Sequence, residues 1–175
     1  AARVPFTKID LTAGASDVTI TGIIVERQGY ASNDSFAEVI LLDEKGVLIG
    51  TPKTLNTDNQ ATIGGTFIVP KGVTKTVIVA ANMNTVLDGQ TGEVPSFAVT
   101  GVNTASTVTA TFPIVGAQHT VNSSLSLGEI TPSKGSLDPG IVEIPKTVGT
   151  TDYIFSSVKL TATSEEDILL KSIRW

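Results

Sequence analysis

Short stretches in which apolar and polar residues alternate recur along the chain up to about residue 120. In residues 17–25, Val18 and Ile20 fall on one face and the neighbouring threonines on the other, which is the period of a β-strand. The adjacent pair Ile23 and Ile24 breaks the alternation and predicts a bulge, or a stretch covered on both faces. The pattern favours sheet over helix.

Turn-forming residues separate these stretches at short intervals. The connection Asp43–Gly46 is short and polar and ends in glycine, which predicts a hairpin, and Gly64–Gly65 predicts a bend inside a strand. Besides the strand at 17–25, strands are predicted at residues 36–42, 47–49, 61–69, 75–80, 96–102 and 106–112. About seven or eight short strands at this spacing are typical of an antiparallel β-sandwich, so the fold is predicted to be all-β.

The composition supports sheet and excludes several classes of function. Charged residues are 17 % of the chain, against about 25 % in typical globular proteins, and Thr and Val, which suit a pleated surface, are abundant. A net charge of −5 without a basic stripe argues against nucleic-acid binding. No apolar run approaches the roughly 18 residues of a membrane helix, so no membrane insertion is expected. The chain has no cysteine, which leaves the compartment open.

The end of the chain resembles its beginning. When Phe6 is aligned with Phe155 and one residue is inserted in the following loop, the apolar positions of residues 6–25 and 155–175 stay in phase. The identical pairs are Phe6 and Phe155, Leu11 and Leu160, Thr12 and Thr161, Ala13 and Ala162, Asp17 and Asp167, and Ile23 and Ile173. Two copies of one hairpin should match in this way, because a slip of one residue turns every side chain to the wrong face. The match predicts a repeat with a period of about 150 residues; the alternative is two similar hairpins of one sandwich.

This interpretation divides the chain into three segments. Residues 1–120 form the sandwich. Residues 121–152, which are punctuated by proline, form a connector with short edge strands near 125–127 and 141–144. Residues 153–175 are a C-terminal extension of strands, the opening of a following, truncated repeat.

Two longer stretches carry a family resemblance. Residues 36–55, FAEVILLDEKGVLIGTPKTL, and residues 67–81, FIVPKGVTKTVIVAA, resemble the tandem immunoglobulin-like repeats of large predicted bacterial cell-surface proteins. In that pattern one strand ends in a Leu-x-Asp turn, and a Pro-x-Gly-x-x-Lys-Thr turn opens the next. FPIVG at 112–116 and the closing residues 165–175 are also similar. The resemblance implies an immunoglobulin-like sandwich in an extracellular, surface-layer-like or adhesive scaffold.

Side chains that catalyse reactions are scarce. His119 is the only histidine, and we expect it to be solvated rather than part of a Ser-His-Asp triad or a metal site. The neighbouring acids at residues 43–44 and 165–167 are expected to lie in solvated turns. A glycosidase needs two carboxyls across a cleft, usually with aromatic platforms, and the chain has two Tyr and one Trp. No enzymatic activity is expected.

Calcium is the one cofactor for which the sequence offers ligands. Ca²⁺ takes about six to eight oxygens, and sandwich loops supply carboxylates, amide oxygens and carbonyls. No stretch has the Asp-x-Asp-x-Asp-Gly pattern of an EF-hand loop. The candidate ligands form three alternative groups, which are Asn33, Asp34 and Ser35 with Asp17, then Asn56, Asp58 and Asn59, and finally Asp88 with Glu93.

The apolar side of the C-terminal extension is expected to need a partner. An isolated hairpin is marginally stable in water, and burying each large apolar side chain is worth about 1.5–3 kcal/mol. The candidate self-association residues are Phe155, Val158, Leu160, Ile168, Leu170 and Ile173. The partner would be the chain's own sandwich, a neighbouring repeat, or a copy of the chain that accepts a strand at its edge.

The expected function is therefore structural. The chain is predicted to be an extracellular module of a repetitive cell-surface protein, in a surface layer, a fibre or an adhesin stalk, whose partners are neighbouring repeats or copies of itself. The alternative is a carbohydrate- or ligand-binding module of a secreted protein. That alternative requires exposed aromatic side chains grouped on one sheet face or loop tip, and Tyr30 in a predicted tip loop is its candidate.

Overall fold

The structure, a computed structural model, divides the chain into two compact units, Ala1–Ser124 and Leu125–Trp175. The residues that it describes are 2–125, 128–141, 145–165, 167–170 and 173. The boundary between the units lies a few residues after position 120, where the sequence analysis ended the sandwich.

The described part of the first unit consists of strands and two single 3₁₀ turns. The strands are β1 (Arg3–Thr12), β2 (Val18–Tyr30), β3 (Phe36–Asp43), β4 (Leu48–Lys53), β5 (Gln60–Ile63), β6 (Phe67–Val69), β7 (Thr74–Met83), β8 (Val94–Thr104) and β9 (Ile114–Val115). The 3₁₀ turns are Asn33–Ser35 and Asp88–Gln90. One sheet has the order β1-β7-β3-β4 and the other β5-β2-β8-β9, with β6 also paired to β2. All pairings are antiparallel.

The hydrophobic core lies between these two sheets. Apolar side chains that alternate along the strands fill this space, as in other sandwiches. Ile23 and Val25 of β2 and Val39 and Leu41 of β3 are completely buried. The predicted all-β antiparallel sandwich is confirmed.

Irregularities in the second sheet occur where the sequence placed them. The register between β2 and β8 shifts between Ile24 and Val25, next to the predicted bulge at Ile23. The strand predicted at 61–69 is divided into β5 and β6 at Gly64–Gly65. Gly64 has a φ of 87°, a left-handed conformation that glycine adopts without steric cost. The chain can therefore change direction sharply at this residue.

The strand predicted at residues 106–112 is wrong. β8 ends at Thr104, and residues 105–113 belong to no strand. Along one face of this segment only Val108 and Phe112 are large and apolar, and Val108 is 42 % exposed. The segment has too little apolar surface to cover, so its Ser and Thr alternation does not produce a paired strand.

The prediction that the chain opens with a hairpin is also wrong. β1 pairs with β7 in one sheet, whereas β2 pairs with β5, β6 and β8 in the other. The loop at residues 13–17 therefore crosses between the sheets. β1 and β2 share an apolar phase because both sheets face one core, so the phase carries no information about which strands pair.

The two flanks of the sandwich are closed in different ways. On one flank β4 and β5 meet at an isolated bridge between Thr51 and Gly64. On the other flank residues 114–121, here called the closing segment, run beside β8 and reach β1. The N–H of Ala117 donates to Phe6 O at 2.8 Å. In the described part of the chain this is the single backbone hydrogen bond from the closing segment to β1, so the second half of β1 remains an open edge.

The described part of the second unit contains a two-stranded antiparallel ribbon. β10 (Ile130–Lys134) pairs with β11 (Val158–Ala162). Sequence analysis did not predict β10, which contains Pro132. The edge strands predicted at 125–127 and 141–144 stay predictions, because residues 126, 127 and 142–144 lie outside the described residues.

The Asp138 carboxylate joins the residues that follow β10 to the residues that precede β11. Asp138 Oδ1 accepts from Gly140 N at 2.8 Å and contacts Lys134 Nζ at 3.3 Å. Asp138 Oδ2 accepts from Ser157 N at 3.1 Å and from Ser156 Oγ at 3.2 Å. These donors, the Ser157 and Gly140 amides first, lower the pKa of Asp138 from 3.8 to about 2, because they favour the charged form.

We expect the ribbon to weaken at acid pH because of Asp138. A pKa of about 2 in the folded state, below the ordinary 3.8, means that the stabilisation is present above about pH 3.8 and is lost as the pH falls through about 2. The protection of the Ser157 and Gly140 amides from hydrogen exchange, measured relative to the intrinsic exchange rate at each pH, should therefore fall across this window. The Asp138→Asn protein should lack the step, and an equal step in both proteins would contradict the assignment.

Candidate functional site

Three loops meet at the end of the sandwich where β2 finishes. Residues 31–35, 54–59 and 84–93 are joined there by hydrogen bonds and are called the loop end below. Asn33 Nδ2 donates to Asn56 O at 3.1 Å, which links the first loop to the second. The sequence placed polar residues in each loop but could not place the loops together.

Arg27 of β2 lies in the middle of the loop end. Its Nε donates to Asn33 Oδ1 at 2.8 Å and its Nη2 to Asn59 Oδ1 at 2.7 Å. Its backbone N–H also donates to Asn59 O at 2.8 Å. The planar guanidinium is held in one orientation by these two side-chain amides. Arg27 was not predicted to lie there, because it stands between Glu26 and Gln28 in the polar last part of the strand, where nothing in the pattern marks it.

Glu93 ties the third loop to the first. Its Oε2 accepts from Ser32 N at 3.0 Å and from Ser35 Oγ at 2.5 Å. Ser35 is completely buried, and it ends the 3₁₀ turn that carries Asp34. Asn84 Nδ2 adds a bond to Asp34 O at 3.0 Å. These contacts make the loop end a hydrogen-bonded structural cap.

The predicted group of calcium ligands that combines Asp17 with residues 33–35 is not brought together. Asp17 lies at the opposite end of β2, where its Oδ1 accepts from Lys71 N at 2.7 Å. The other four lie in the loop end: Asp34, Asp58, Asp88 and Glu93. Among the described residues, no three acidic or histidine side chains are close enough to hold a metal ion.

The centre of the loop end is also occupied by a fixed positive charge. The side-chain oxygens of Asn33 and Asn59, which the sequence offered as calcium ligands, accept from Arg27 instead. A calcium ion bound to the same oxygens would lie within contact distance of the guanidinium and would be repelled by it. Calcium binding at these residues thus remains a prediction to which the geometry lends no support.

Tyr30 is the aromatic residue that the alternative, ligand-binding interpretation singled out. It is the last residue of β2, at the loop end, and is 80 % exposed. In the described part of the first unit it is the single exposed aromatic side chain, since the phenylalanines there are buried or half-buried. The grouped aromatics that this interpretation requires are not present around it in that unit.

His119 has a structural contact. It is exposed on the closing segment, as expected, and its Nε2 lies 3.0 Å from Pro5 O. Its ring packs edge-to-face on Phe6 with centroids 4.9 Å apart. The residue helps to attach the closing segment to β1.

Of the neighbouring acids, Asp43 is the last residue of β3 and Glu44 lies in the turn that follows. Asp43 Oδ1 accepts from Lys45 N at 2.9 Å and from Val47 N at 2.8 Å, which holds the predicted β3–β4 hairpin turn. A side-chain hydrogen bond from Thr163 is the main cause that lowers the pKa of Glu165. A general acid needs a raised pKa, so Glu165 is poorly suited to that role. Glu166 lies outside the described residues.

The open edge of β1 lies beside an apolar groove, here called the flank groove. Its volume is about 160 Å³. It is lined by residues 9–12 of β1 with the adjoining Ala13, by the ends of β2 and β8, and by the segment 106–112 that leaves β8. Among the described residues, this segment makes no backbone hydrogen bond to β1. The groove and the open edge together form a place where a strand can be added.

The candidate self-association residues are largely exposed in the second unit. Val158 and Leu160 are on β11, and Phe155 packs edge-to-face on Tyr153 with centroids 5.0 Å apart. The exposed fractions are 84 % for Phe155, 57 % for Val158, 37 % for Leu160, 49 % for Leu170 and 46 % for Ile173, and Ile168 is half-buried. The second opening strand predicted here does not form at residues 167–170, and its remaining positions lie mostly outside the described residues.

Comparison with known proteins identifies no relative of this chain. No family model matches the chain, and neither a curated protein nor a solved structure matches it significantly. Among the described residues, no helix is long and apolar enough to cross a membrane. The class of protein that the fold defines is therefore an all-β antiparallel sandwich followed by a smaller second unit.

Proposed function

We propose that this chain is a structural, non-catalytic module of a repetitive extracellular cell-surface protein. Its partners in this role are neighbouring modules or copies of itself. The loop end supports the proposal because its polar groups are engaged with one another. The exposed apolar residues of the second unit support it as well, since they lie on a unit too small to cover them.

The observation that carries the proposal is the correspondence between β1 and β11. Residues 9–13, which are the last four residues of β1 and Ala13, align with residues 158–162, which are the whole of β11. Ile9 is 6 % exposed inside the sandwich, whereas its counterpart Val158 is 57 % exposed. β11 therefore has the sequence of a first strand without the sandwich that covers such a strand. In a tandem array, the sheets of the following module would bury the apolar side chains of β11.

A longer chain tests this proposal. The alignment places Trp175 at the position of Val25, so residues 26–124 are added directly after Trp175. If residues 155–175 open a second module, the added segment should complete a second sandwich. Amide exchange at Leu160 and Leu170 should then slow to the range of Leu11 and Ile20, and far-UV circular dichroism should show cooperative unfolding of the added part.

The matched control is Leu160→Asp in the longer chain. A carboxylate at a position equivalent to Leu11 would face the second core, so it should abolish the second sandwich and leave the first one intact. The module proposal is contradicted if the added residues exchange freely in the chain with Leu160 unchanged.

Tyr30 favours one second candidate, a glycan-binding module. Its ring is exposed at the loop end, where hydrogen bonds already hold the polar side chains in place. A glycan array gives the decisive measurement. Binding that the Tyr30→Ala protein loses, with unchanged unfolding, would replace the structural proposal with this one.

A further inference from the structure

We propose that β1 is completed by a strand equivalent to β10, donated by the preceding copy of the module to the edge of β1 that faces away from β7. This inference rests on the proposed function, since it takes β11 as the first strand of a following module. On this basis the ribbon of β10 and β11 is the joint between two modules. The partner of the open edge is then a second copy of this chain's residues 129–135.

The hydrogen-bond pattern of β1 shows which backbone groups its open edge presents. Ala13 N donates to Val73 O at 3.1 Å, in register with the β1–β7 ladder. Hydrogen-bonded pairs of an antiparallel ladder recur at every second residue, so Ile9 and Leu11 also direct their N–H groups to β7. The groups that point to the opposite, open edge belong to Lys8, Asp10 and Thr12.

The same reasoning shows which edge of β11 is used by β10. Gly135 N donates to Ser157 O at 2.7 Å, and Thr163 N donates to Glu129 O at 3.0 Å, both in register with the ladder. The residues of β11 that direct their backbone groups to β10 are therefore Ser157, Lys159, Thr161 and Thr163. The first three of these align with Lys8, Asp10 and Thr12. β10 thus occupies on β11 the edge that is open on β1.

The register also places apolar side chains of the donated strand in the flank groove. Ile130 and Pro132 lie opposite two apolar residues of β11 whose counterparts are Ala13, just after β1, and Leu11. By the same register, Lys134 lies opposite the counterpart of Ile9. Opposite residues of a ladder share a face, and both Ala13 and Leu11 line the groove. The groove, at about 160 Å³, has room for an apolar group of about the size of a benzene ring.

Proline is compatible with the donated strand at this position. The N–H groups of Thr131 and Ser133 face the acceptor strand, whereas position 132 faces away from it. Pro132 therefore removes no hydrogen bond from the joint, and it blocks addition of a further strand on the outer side. The joint is thereby limited to one donated strand.

A chain with a second copy of residues 125–149 placed before Ala1 tests the joint. In this chain the donor precedes β1 as β10 precedes β11, and the tether keeps its effective concentration high. Amide exchange of Lys8, Asp10 and Thr12 should slow by about tenfold or more relative to the original chain. Exchange at Ile9 and Leu11, which already bond β7, should not change.

Two substitutions of one residue provide the control. Asp10→Pro removes an N–H from the open edge and should abolish the protection of Lys8 and Thr12. Asp10→Ala should retain it, although both variants lose the bond from Thr76 Oγ1 to Asp10 Oδ1. The thermal unfolding of the two variants, measured without the added copy, verifies that both fold.

The results of these two experiments distinguish a failure of the proposed strand addition at β1 from a failure of the proposed function. If the added copy leaves exchange at Lys8, Asp10 and Thr12 unchanged, the joint is wrong, even when residues 26–124 added after Trp175 complete a second sandwich. If the edge is protected and that second sandwich does not form, strand addition at β1 stands and the proposed function falls.

Discussion

Phe97→Ala should lower the free energy of unfolding of the first unit by about 3–5 kcal/mol, the range observed when large aromatic side chains are removed from cores. Phe97 is completely buried and packs edge-to-face on Phe6 and Phe36, with centroids 5.0 Å and 5.1 Å away. These rings come from β8, β1 and β3, so the cluster joins the two sheets. Since small domains are stable by about 5–15 kcal/mol, the loss is a large part of the total.

Urea unfolding followed by far-UV circular dichroism measures this effect. Phe97→Leu keeps most of the volume and should cost less than about 1.5 kcal/mol. Phe155→Ala removes the same side chain from a site that is 84 % exposed, so the unfolding free energy should change by no more than about 0.5 kcal/mol. Equal losses at positions 97 and 155 would mean that the cluster is not the centre of the core.

The sequence predicts the strands of the first unit well where burial is one-sided or complete. The hairpin at Asp43 and the bend at Gly64–Gly65 could be predicted because each depends only on the few residues that form it. The strand expected at 106–112 fails because alternation alone does not show whether a face has anything to cover. Only two large apolar residues lie on that face, Val108 and Phe112.

The partners of β1 and β2 could not be predicted in the same way. Alternation reports which side chains face a core, and in a sandwich both sheets face the same core. The choice between a hairpin and a crossing loop therefore depends on contacts distant in the chain, such as the pairing of Leu11 with Lys75. The repeat between residues 6–25 and 155–175 is a statement about sequence, and it stays a prediction.

The spatial grouping of the candidate site residues could not be predicted from the sequence either. The sequence suggested Asp17 and Asp34 as ligands of one calcium ion, but these two residues lie at opposite ends of the sandwich. The residue at the centre of the loop end, Arg27, was passed over because a single arginine in a strand carries no ligand pattern. The open edge of β1 was equally invisible, since edges are defined by the strand order.

Gly50→Ala should destabilise the first unit by about 2–5 kcal/mol, because two costs act at the same residue. The first is conformational: Gly50 has a φ of 74°, a left-handed conformation that costs other residues about 1–2 kcal/mol. The second is steric, since a Cβ at Gly50 would lie 2.3 Å from the backbone carbonyl of Gly64. Backbone atoms cannot rotate away, so the bridge between Thr51 and Gly64 that closes this flank should open.

Gly46→Ala is the matched control for this prediction. Gly46 has a φ of 79° in the β3–β4 turn, and a Cβ there would meet no atom within 4 Å. Its substitution isolates the conformational cost, about 1–2 kcal/mol, from the close approach of β4 to β5. Chemical unfolding of both variants, with amide exchange at Thr51, gives the comparison. Equal destabilisation by the two substitutions would show that the contact between Gly50 and Gly64 does not hold the flank closed, because only the Gly50 variant places an atom between the two sheets.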